Sequence, residues 1–411
     1  MLRSGIPSPD VLPGLDATDP VDLVINWGRG VDSTTYLTRM LDDPAAHGVD
    51  LRRTAVITMA TGDEWPRTDS DAEEHVLPLL RRHHVRLVQL ARAGQAKHTG
   101  IDVLDDSRNP QRMIRRGRWA LWHEMETNGT VPQQGGSRLC SIRAKGEVGD
   151  RWIPGATGGR PFRQVIGFNA DEVGRAMADR AASSNPLRTA SFPLIDWSWG
   201  RKRCEDYLQE RFGVRWQKSY CTFCCYPVSM GALPQHLDRM RAHPDIAGRV
   251  LRLEYTSMCL NPHGKLFGRR SLLEQFDERR GQDRAMLDAF TAELLTCDWT
   301  TYLARRILPV STANPPVRAP ALRSVRRLHT GGRAALGRSL QRVAERRNLR
   351  VESDSLYGAV RDWVFGRGES LPTAEEFFVT APGFVKDKQQ DRFEAAWTAH
   401  TGLRALTLPG T

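Results

Sequence analysis

The sequence predicts an α/β fold: a doubly wound, mostly parallel sheet, then a helical extension and a small basic helical C-terminal domain. Three observations predict it. From residue 21 to about 200, short apolar segments alternate with amphipathic segments of helical length, an order typical of parallel sheets. From residue 231 onward, apolar residues recur at helical spacing. A Pro-rich stretch at 309–321 then separates an arginine-rich tail from the rest of the chain.

The elements of the first domain, residues 21–230, follow from apolar runs and the polar turns between them. The predicted strands are 21–26 (VDLVIN), 51–60 (LRRTAVITMA), 85–91 (VRLVQLA) and 163–166 (RQVI). The predicted helices are 33–43 (STTYLTRMLDD), 70–84 (SDAEEHVLPLLRRHH) and 200–213 (GRKRCEDYLQERFG). Beyond this domain we predict a helical extension over 231–308 and a basic helical tail over 322–411.

Composition indicates a soluble protein. The chain has 411 residues, of which 40% are hydrophobic and 26% charged, as in ordinary globular proteins. It has no apolar run of membrane-spanning length, and residues 1–20 lack the apolar core of a signal peptide and are expected to form a flexible leader. We therefore predict a cytoplasmic protein without a membrane partner.

The net charge of +11 suggests a polyanionic partner. Nine arginines and one acid, Glu345, fall between residues 322 and 350. Apolar residues at three- and four-residue steps in the same stretch predict basic amphipathic helices. Such helices are typical of nucleic-acid contact; a merely solvated basic face is the alternative.

A turn rich in glycine and hydroxyl groups, Gly28-Arg29-Gly30-Val31-Asp32-Ser33-Thr34-Thr35, follows the first strand. Glycines permit close backbone approach, and the amides at a helix start attract phosphate. The hydroxyls could donate to phosphate oxygens, and Asp32 could orient the loop or hold Mg²⁺. An ordinary helix cap explains the same residues equally well.

The turn GRGVDS resembles the PP-loop (SGGxDS) of the N-type ATP pyrophosphatases. Five further segments, in the same order, resemble the phosphoadenosine phosphosulfate (PAPS) reductase-like branch of that superfamily: TGDEWPRT (61–68), RLCSIRAKGEV (138–148), IGFNADEVGRA (166–176), FPLIDWSWGRKRCEDYL (192–208) and YCTFCCYP (220–227). The resemblance covers residues 21 to about 230 and implies a HUP-like sheet that binds ATP. Gly28-Arg29 stands where the family has Ser-Gly, and no cysteine follows Cys297, so the C-terminal cysteine motif of the thiol-dependent reductases is missing.

The resemblance implies roles for individual residues. Asp32, Ser33, Lys145 and Arg175 would act in catalysis. ATP and its Mg²⁺ would be bound by Gly28, Arg29, Gly30, Asp32, Ser33, Thr34, Asp63, Glu64, Asp171 and Glu172. Each of these residues has a simpler alternative as a loop acid, helix cap or surface cation.

Seven cysteines in a cytosolic-looking chain favour metal or redox chemistry over disulfides. Cys221 and Cys224 form a CxxC, and Cys140 lies in the segment that supplies another cysteine in cluster-bearing relatives. We predict an iron–sulfur cluster, preferentially 4Fe–4S, with zinc as the alternative. The fourth ligand could be Cys259, Cys225 or none. Cys204 and Cys297 are expected in the core.

The function expected from the resemblance is cleavage of ATP between its α and β phosphates, activating an oxygen for sulfur insertion. The closest character is that of the ATP pyrophosphatase component of DNA phosphorothioation systems, with DNA as partner and a cysteine desulfurase as sulfur donor. The alternatives are a sulfonucleotide reductase, a tRNA-thiolating enzyme and a non-catalytic nucleotide-sensing DNA-binding protein. The oligomeric state is left open.

Overall fold

The computed structural model describes residues 20–134, 138–228, 231–309, 321–368 and 371–402. The described residues form two compact units: those up to residue 121 and those of 138–221 form the first, and those of 122–137 and from 222 onward form the second. Nearly all of the predicted leader 1–20 and of the predicted linker 309–321 lies outside the described residues.

The first unit is built on a six-stranded sheet with the order β4-β3-β2-β1-β5-β6. All neighbours are parallel except β3 and β4, which are antiparallel. The strands are β1 (Leu23–Asn26), β2 (Thr54–Met59), β3 (Arg86–Arg92), β4 (Ile101–Ser107), β5 (Phe162–Ile166) and β6 (Arg188–Ser191). The predicted α/β fold with a mostly parallel sheet is confirmed.

Helices cover both faces of this sheet. They are α1 (Val31–Asp42), α2 (Pro66–Asp71), α3 (Leu77–Arg82), α5 (Leu139–Ser141), α6 (Glu147–Thr157), α7 (Val173–Ala182), α8 (Pro193–Asp196) and α9 (Arg201–Phe212). Between α3 and α5 the chain also forms helix α4 (Leu121–Asn128). All but the first residue of α4 belong to the second unit. Single π turns at Ala72–Val76 and Ile142–Gly146 join α2 to α3 and α5 to α6.

The core divides between the two faces because side chains alternate along each strand. Leu23 and Ile25 of β1 pack in one cluster with residues of α1, α3 and α9. Val24 packs in the other cluster with Val148 and Ile153 of α6. β1 is paired on one side with β2 and on the other with β5, so chain connections leave it in both directions. Ligands of open α/β sheets bind at such a switch point, beyond the carboxyl ends of the strands.

The second unit contains a six-stranded sheet in the order β12-β8-β7-β11-β10-β9, with every pair antiparallel. Its helices, in chain order, are α10 (Leu233–Ala242), α11 (Pro244–Leu260), α12 (Gly281–Thr296), α13 (Arg333–Arg347) and α14 (Phe393–Thr401). Its strands are β7 (Trp299–Leu308), β8 (Leu322–Gly331), β9 (Arg350–Ser353), β10 (Val360–Phe365), β11 (Thr373–Pro382) and β12 (Lys388–Gln389).

The predicted helical tail is wrong, and the helical extension ends before residue 299. The segment 299–308 is strand β7, every residue of which is buried. The sequence suggested a helix because the polar Arg305 and Arg306 interrupt its apolar residues. In the structure both arginines lie in the core, where Arg305 pairs with Glu394 and Arg306 with Glu375. Only tertiary partners make buried arginines in a central strand acceptable.

The prediction of basic amphipathic helices between residues 322 and 350 is correct for the second half of the stretch and wrong for the first. Leu336 and Leu340 are buried on one face of α13, as helical spacing predicts. Leu322, Val325 and Leu328 instead lie in β8. A β-bulge explains why these strand residues follow one another at three-residue steps. Arg327 is opposite Tyr302 and His329 is opposite Thr301, so Leu328 is an extra residue without an opposite partner on β7. Within the part of the chain described by the structure, no helix is long and apolar enough to cross a membrane.

Candidate functional site

The glycine-containing turn connects the central strand β1 to α1, as the sequence predicted. Gly28 is exposed, and Gly30 is the residue before the helix, with no side chain capping the helix start. Arg29 has a positive φ of 58°, a left-handed conformation that glycine adopts most readily. Because a helix leaves its first amides without intrahelical partners, this uncapped start suits an anion.

Two other segments pack directly on the turn. A Cβ on Gly167, just after β5, would lie 2.9 Å from the backbone nitrogen of Ser33. A Cβ on Gly30 would lie 3.5 Å from the Cβ of Ser219, and the indole of Trp216 donates to the carbonyl of Arg29 over 3.1 Å. The turn, the β5 loop and the segment before the CxxC therefore form one site at the switch point of the sheet.

Arg29 does not offer its charge to a phosphate, which corrects the predicted role of its side chain. The guanidinium is 2% exposed and pairs with Glu64 at 3.0 Å and, through its other terminal nitrogen, with Asp69. Arg115 holds the second oxygen of Asp69 at 2.6 Å. The side chain thus points beneath the turn and is neutralised there. The Arg29 side chain therefore anchors the loop and adds no positive charge for a phosphate to bind.

Asp32 lies in the first turn of α1 with one carboxylate oxygen engaged and one available. Its Oδ2 pairs with Arg201 at 2.7 Å, while its buried Oδ1 has no hydrogen-bond partner among the described residues. Burial raises the pKa of Asp32 to about 6, against the opposing effects of Arg201 and of the nearby Asn169 side chain. The nearby charge of Glu172 contributes to the same rise. The free oxygen is therefore a weakly basic acceptor beside the helix start.

The hydroxyl groups of the turn divide into one candidate and two structural groups. Ser33 is half-buried and its Oγ donates to the carbonyl of Gly30 over 3.3 Å. Thr34 is completely buried, and its Oγ1 accepts from the indole of Trp27 at 3.0 Å. Thr35 is equally buried and donates to the carbonyl of Cys204. The predicted phosphate contact by Thr34 is therefore replaced by a role in packing.

The acids after β5 organise the neighbouring helix. Asn169 caps the amide of Asp171, and Asp171 accepts from the amide of Arg201 at 2.9 Å. Glu172 pairs with Arg175, which also stacks 4.6 Å from the ring centre of Phe168. Asp171 therefore aligns α9, which carries the Asp32 partner Arg201. The charge of Arg175 is compensated by Glu172.

The end of β2 meets the CxxC segment. Glu64 forms an isolated antiparallel bridge with Cys221. Although burial opposes ionisation, Arg29 and Lys145 together hold the pKa of Glu64 below its usual value. Asp63 is buried, with a guanidinium nitrogen of Arg116 at 3.9 Å. Lys145 and Cys221 are thus close to the carboxylate that anchors the turn.

Sequence reasoning missed the residues that support this site from outside the motifs: Asp69, Arg115, Asn169, Arg201, Trp216 and Ser219. Asn169 and Arg201 lie inside segments that resemble the family. Their places next to a predicted strand end and a predicted helix start could have marked them as site residues. Asp69 and Arg115 carried no local signal, since each becomes informative only through its partner.

The predicted cluster ligands are divided between the two units. Cys140, at α5, and Cys221 belong to the first, whereas Cys224, Cys225 and Cys259 belong to the second. Cys259 is buried in α11, and burial raises the pKa of its thiol to about 12. Across the described ranges, no three His, Cys, Asp or Glu side chains are grouped to hold a metal ion. The iron–sulfur or zinc site therefore stays a prediction.

Mg²⁺ needs fewer protein ligands than an iron–sulfur cluster or zinc. It is usually held by one or two carboxylates together with substrate phosphates and waters. The unpartnered Oδ1 of Asp32 beside an uncapped helix start fits that requirement, so the residues present suit Mg²⁺ bound with a nucleotide.

No protein-family model, no curated protein and no solved structure matches this chain.

Proposed function

We propose that the first unit is a HUP-like ATP pyrophosphatase that adenylates an oxygen of a nucleic acid for sulfur insertion. The observation that carries the proposal is the uncapped start of α1 at the switch point of the sheet, with the free Oδ1 of Asp32 beside it. Helix-start amides and a carboxylate are the groups that a nucleotide pyrophosphate and its Mg²⁺ require. The positive φ of Arg29, at the position of a glycine in the PP-loop pattern, also supports the resemblance.

Each residue of the site has its own role in binding or catalysis. Gly28 and Gly30 let the pyrophosphate approach the backbone, and Ser33 turns its hydroxyl from the carbonyl of Gly30 to a phosphate oxygen. Asp32 holds Mg²⁺, which when bound neutralises charge on the phosphates. Lys145, whose charge acts on Glu64, stabilises negative charge on the leaving group.

The reaction is a displacement at the α-phosphorus. The acceptor oxygen forms a bond to the α-phosphorus, and the bond from that phosphorus to the oxygen bridging to the β-phosphorus breaks. Pyrophosphate leaves, and AMP stays on the acceptor oxygen. A thiol reduces the persulfide carried by a cysteine desulfurase, and the released sulfide bonds to the acceptor atom while AMP departs with the acceptor oxygen. No step of this reaction requires an iron–sulfur or zinc centre.

Pyrophosphate release from ATP tests the proposal. We expect release that requires Mg²⁺ and is stimulated by DNA, and we expect Asp32→Ala to lose at least 100-fold in rate, on the order of the effects of transition-state charge stabilisation. Asp196→Ala is the matched control, since Asp196 is an exposed acid of the same unit. Equal rates for the Asp32 and Asp196 variants would remove the site assignment, and stimulation by tRNA instead of DNA would identify a tRNA-thiolating enzyme.

One observation favours a second candidate, a nucleotide-sensing protein without turnover. Arg29 is neutralised beneath the loop by Glu64 and Asp69, so the turn lacks a cation that catalysis could use. Tight ATP binding that depends on Asp32, with no pyrophosphate released in the presence of any nucleic acid, would establish this alternative.

A further inference from the structure

The outward face of α13 carries a row of arginines in the second unit. Arg338, Arg342 and Arg346 follow one another at four-residue steps, and all three are exposed. They lie on one side of the helix because residues four apart are neighbours on its surface. At about 1.5 Å per residue the row extends over about 12 Å. Arg347 and, on β8, Arg326 are also exposed.

The opposite face of α13 packs against the sheet of the second unit. Leu340 packs with Leu303 of β7, Val360 of β10 and Phe378 of β11. Leu336 and Ala344 are buried on the same side. The arginine row is therefore displayed on a rigid element whose apolar face is already used, so its orientation does not depend on a partner.

The positive charge of the row is not compensated within the described residues. None of Arg338, Arg342, Arg346, Arg347 and Arg326 forms an ion pair with a described carboxylate, in contrast to Arg327 and Arg350, which pair with Asp387 and Glu352. Arg346 uses its Nε only to donate to the carbonyl of Arg342. The single acid of the segment 322–350 is Glu345. Such a surface is complementary to a dense array of anions.

The shape and composition of the face favour duplex DNA over other polyanions. Over about 12 Å, one strand of B-form DNA presents about three to four phosphates. α13 has no aromatic residue on which unpaired bases could stack, which disfavours single strands. Exposed Ala335 and Ser339 are small, and the major groove of B-DNA admits a helix, whereas that of A-form RNA is too narrow for side chains to read.

We propose that the outward face of α13 docks on B-form DNA, with Arg338, Arg342 and Arg346 against backbone phosphates. This deepens the proposed function by naming where its acceptor binds. The docking itself needs neither ATP nor the turn of the first unit.

The test is fluorescence anisotropy of a labelled DNA duplex of about two helical turns, titrated with the full chain without nucleotide over a range of salt concentrations. The triple variant Arg338→Gln/Arg342→Gln/Arg346→Gln is compared with Arg269→Gln/Arg270→Gln/Arg284→Gln. The control removes three exposed arginines from other parts of the same unit, and both variants lower the net charge equally, from +11 to +8.

We expect the α13 variant to bind at least about tenfold more weakly and its salt slope to fall by about three, since each phosphate contact contributes nearly one to the slope. The control should change little. Equal weakening of both variants would overturn the proposal, as would preferred binding of single-stranded or duplex RNA by the unaltered chain. Normal DNA binding without pyrophosphate release would leave the docking face intact and refute only the proposed reaction.

Discussion

The buried Arg29 cluster makes a prediction that separates an anchoring role from a phosphate-binding role. In Arg29→Met the side chain keeps much of its length and loses its charge, so Glu64 loses its ion-pair partner at 3.0 Å. Asp69 keeps Arg115, so most of the cost falls on Glu64, which is 3% exposed. Removing one member of a buried pair costs about 3–5 kcal/mol, and we expect the first unit to lose about 3 kcal/mol.

The loss should depend on pH in a stated direction. In the wild type the pKa of Glu64 is lowered from 4.5, so its stabilising contribution is present above pH 4.5 and is lost as the pH falls through the lowered value. Without Arg29, burial of Glu64 should raise its pKa above 4.5, so the variant gains stability as the pH falls towards 5. The difference between the two proteins in free energy of unfolding should therefore be smaller at pH 5 than at pH 8.

Urea unfolding followed by tryptophan fluorescence at the two pH values measures this difference. Trp27 and Trp65, both buried in the first unit next to the turn, report on it. Arg29→Gly is the comparison variant: it also removes the ion pairs and relieves about 1 kcal/mol of left-handed backbone strain, but it loses the packing of the buried side chain, which Met largely keeps. A loss below about 1 kcal/mol that is equal at both pH values would show that the ion pair does not form and that Arg29 is available to a ligand.

Three further predictions follow from the site and the core. Because the pKa of Asp32 is raised to about 6, Mg²⁺-dependent ATP binding should strengthen as the pH rises through 6, and Asp32→Asn should abolish this dependence in calorimetric titrations. Gly167→Ala places a Cβ 2.9 Å from the backbone of Ser33 and should cost about 1–3 kcal/mol together with ATP affinity; Gly174→Ala, with open space at its Cβ, should have neither effect. Asp362 is fully buried with both oxygens unpartnered among the described residues, and burial raises its pKa from 3.8 to about 6. The second unit should therefore lose up to about 3 kcal/mol between pH 4 and pH 7, and Asp362→Asn should flatten that slope in urea titrations.

Each of these predictions has an outcome that contradicts it. ATP binding by the wild type that is constant from pH 5 to pH 8 would show that Asp32 does not hold the cation. Equal ATP affinity of the two glycine variants would mean that the β5 loop does not shape the helix start. An unchanged pH slope in Asp362→Asn would assign the titration to another group.

Strands β1, β2, β3 and β5 of the first unit could be predicted because most of their residues are buried, whereas the more exposed β4 and β6 were not predicted. Segments such as LVIN of β1 and TAVITM of β2 read as continuous apolar runs, and turns with glycine follow them, so local sequence and tertiary position agree. The second unit broke this agreement. Its central strand β7 contains Arg305 and Arg306, and a polar pair inside a strand is indistinguishable in sequence from the polar face of a helix.

By itself, the sequence determined the parallel sheet, the turn at its switch point, the basic character of α13 and the candidate acids Asp32 and Asp171, because each follows from the order of neighbouring residues. Only the tertiary structure decided which charges are available for a ligand. Arg29 and Arg201 look equivalent in sequence, yet one is neutralised by Glu64 and Asp69 while the other holds a single oxygen of Asp32 and leaves its second oxygen free. The reason is physical: a charged group's capacity to bind depends on burial and on partners many residues away, and Asp69 lies 40 residues from Arg29 along the chain.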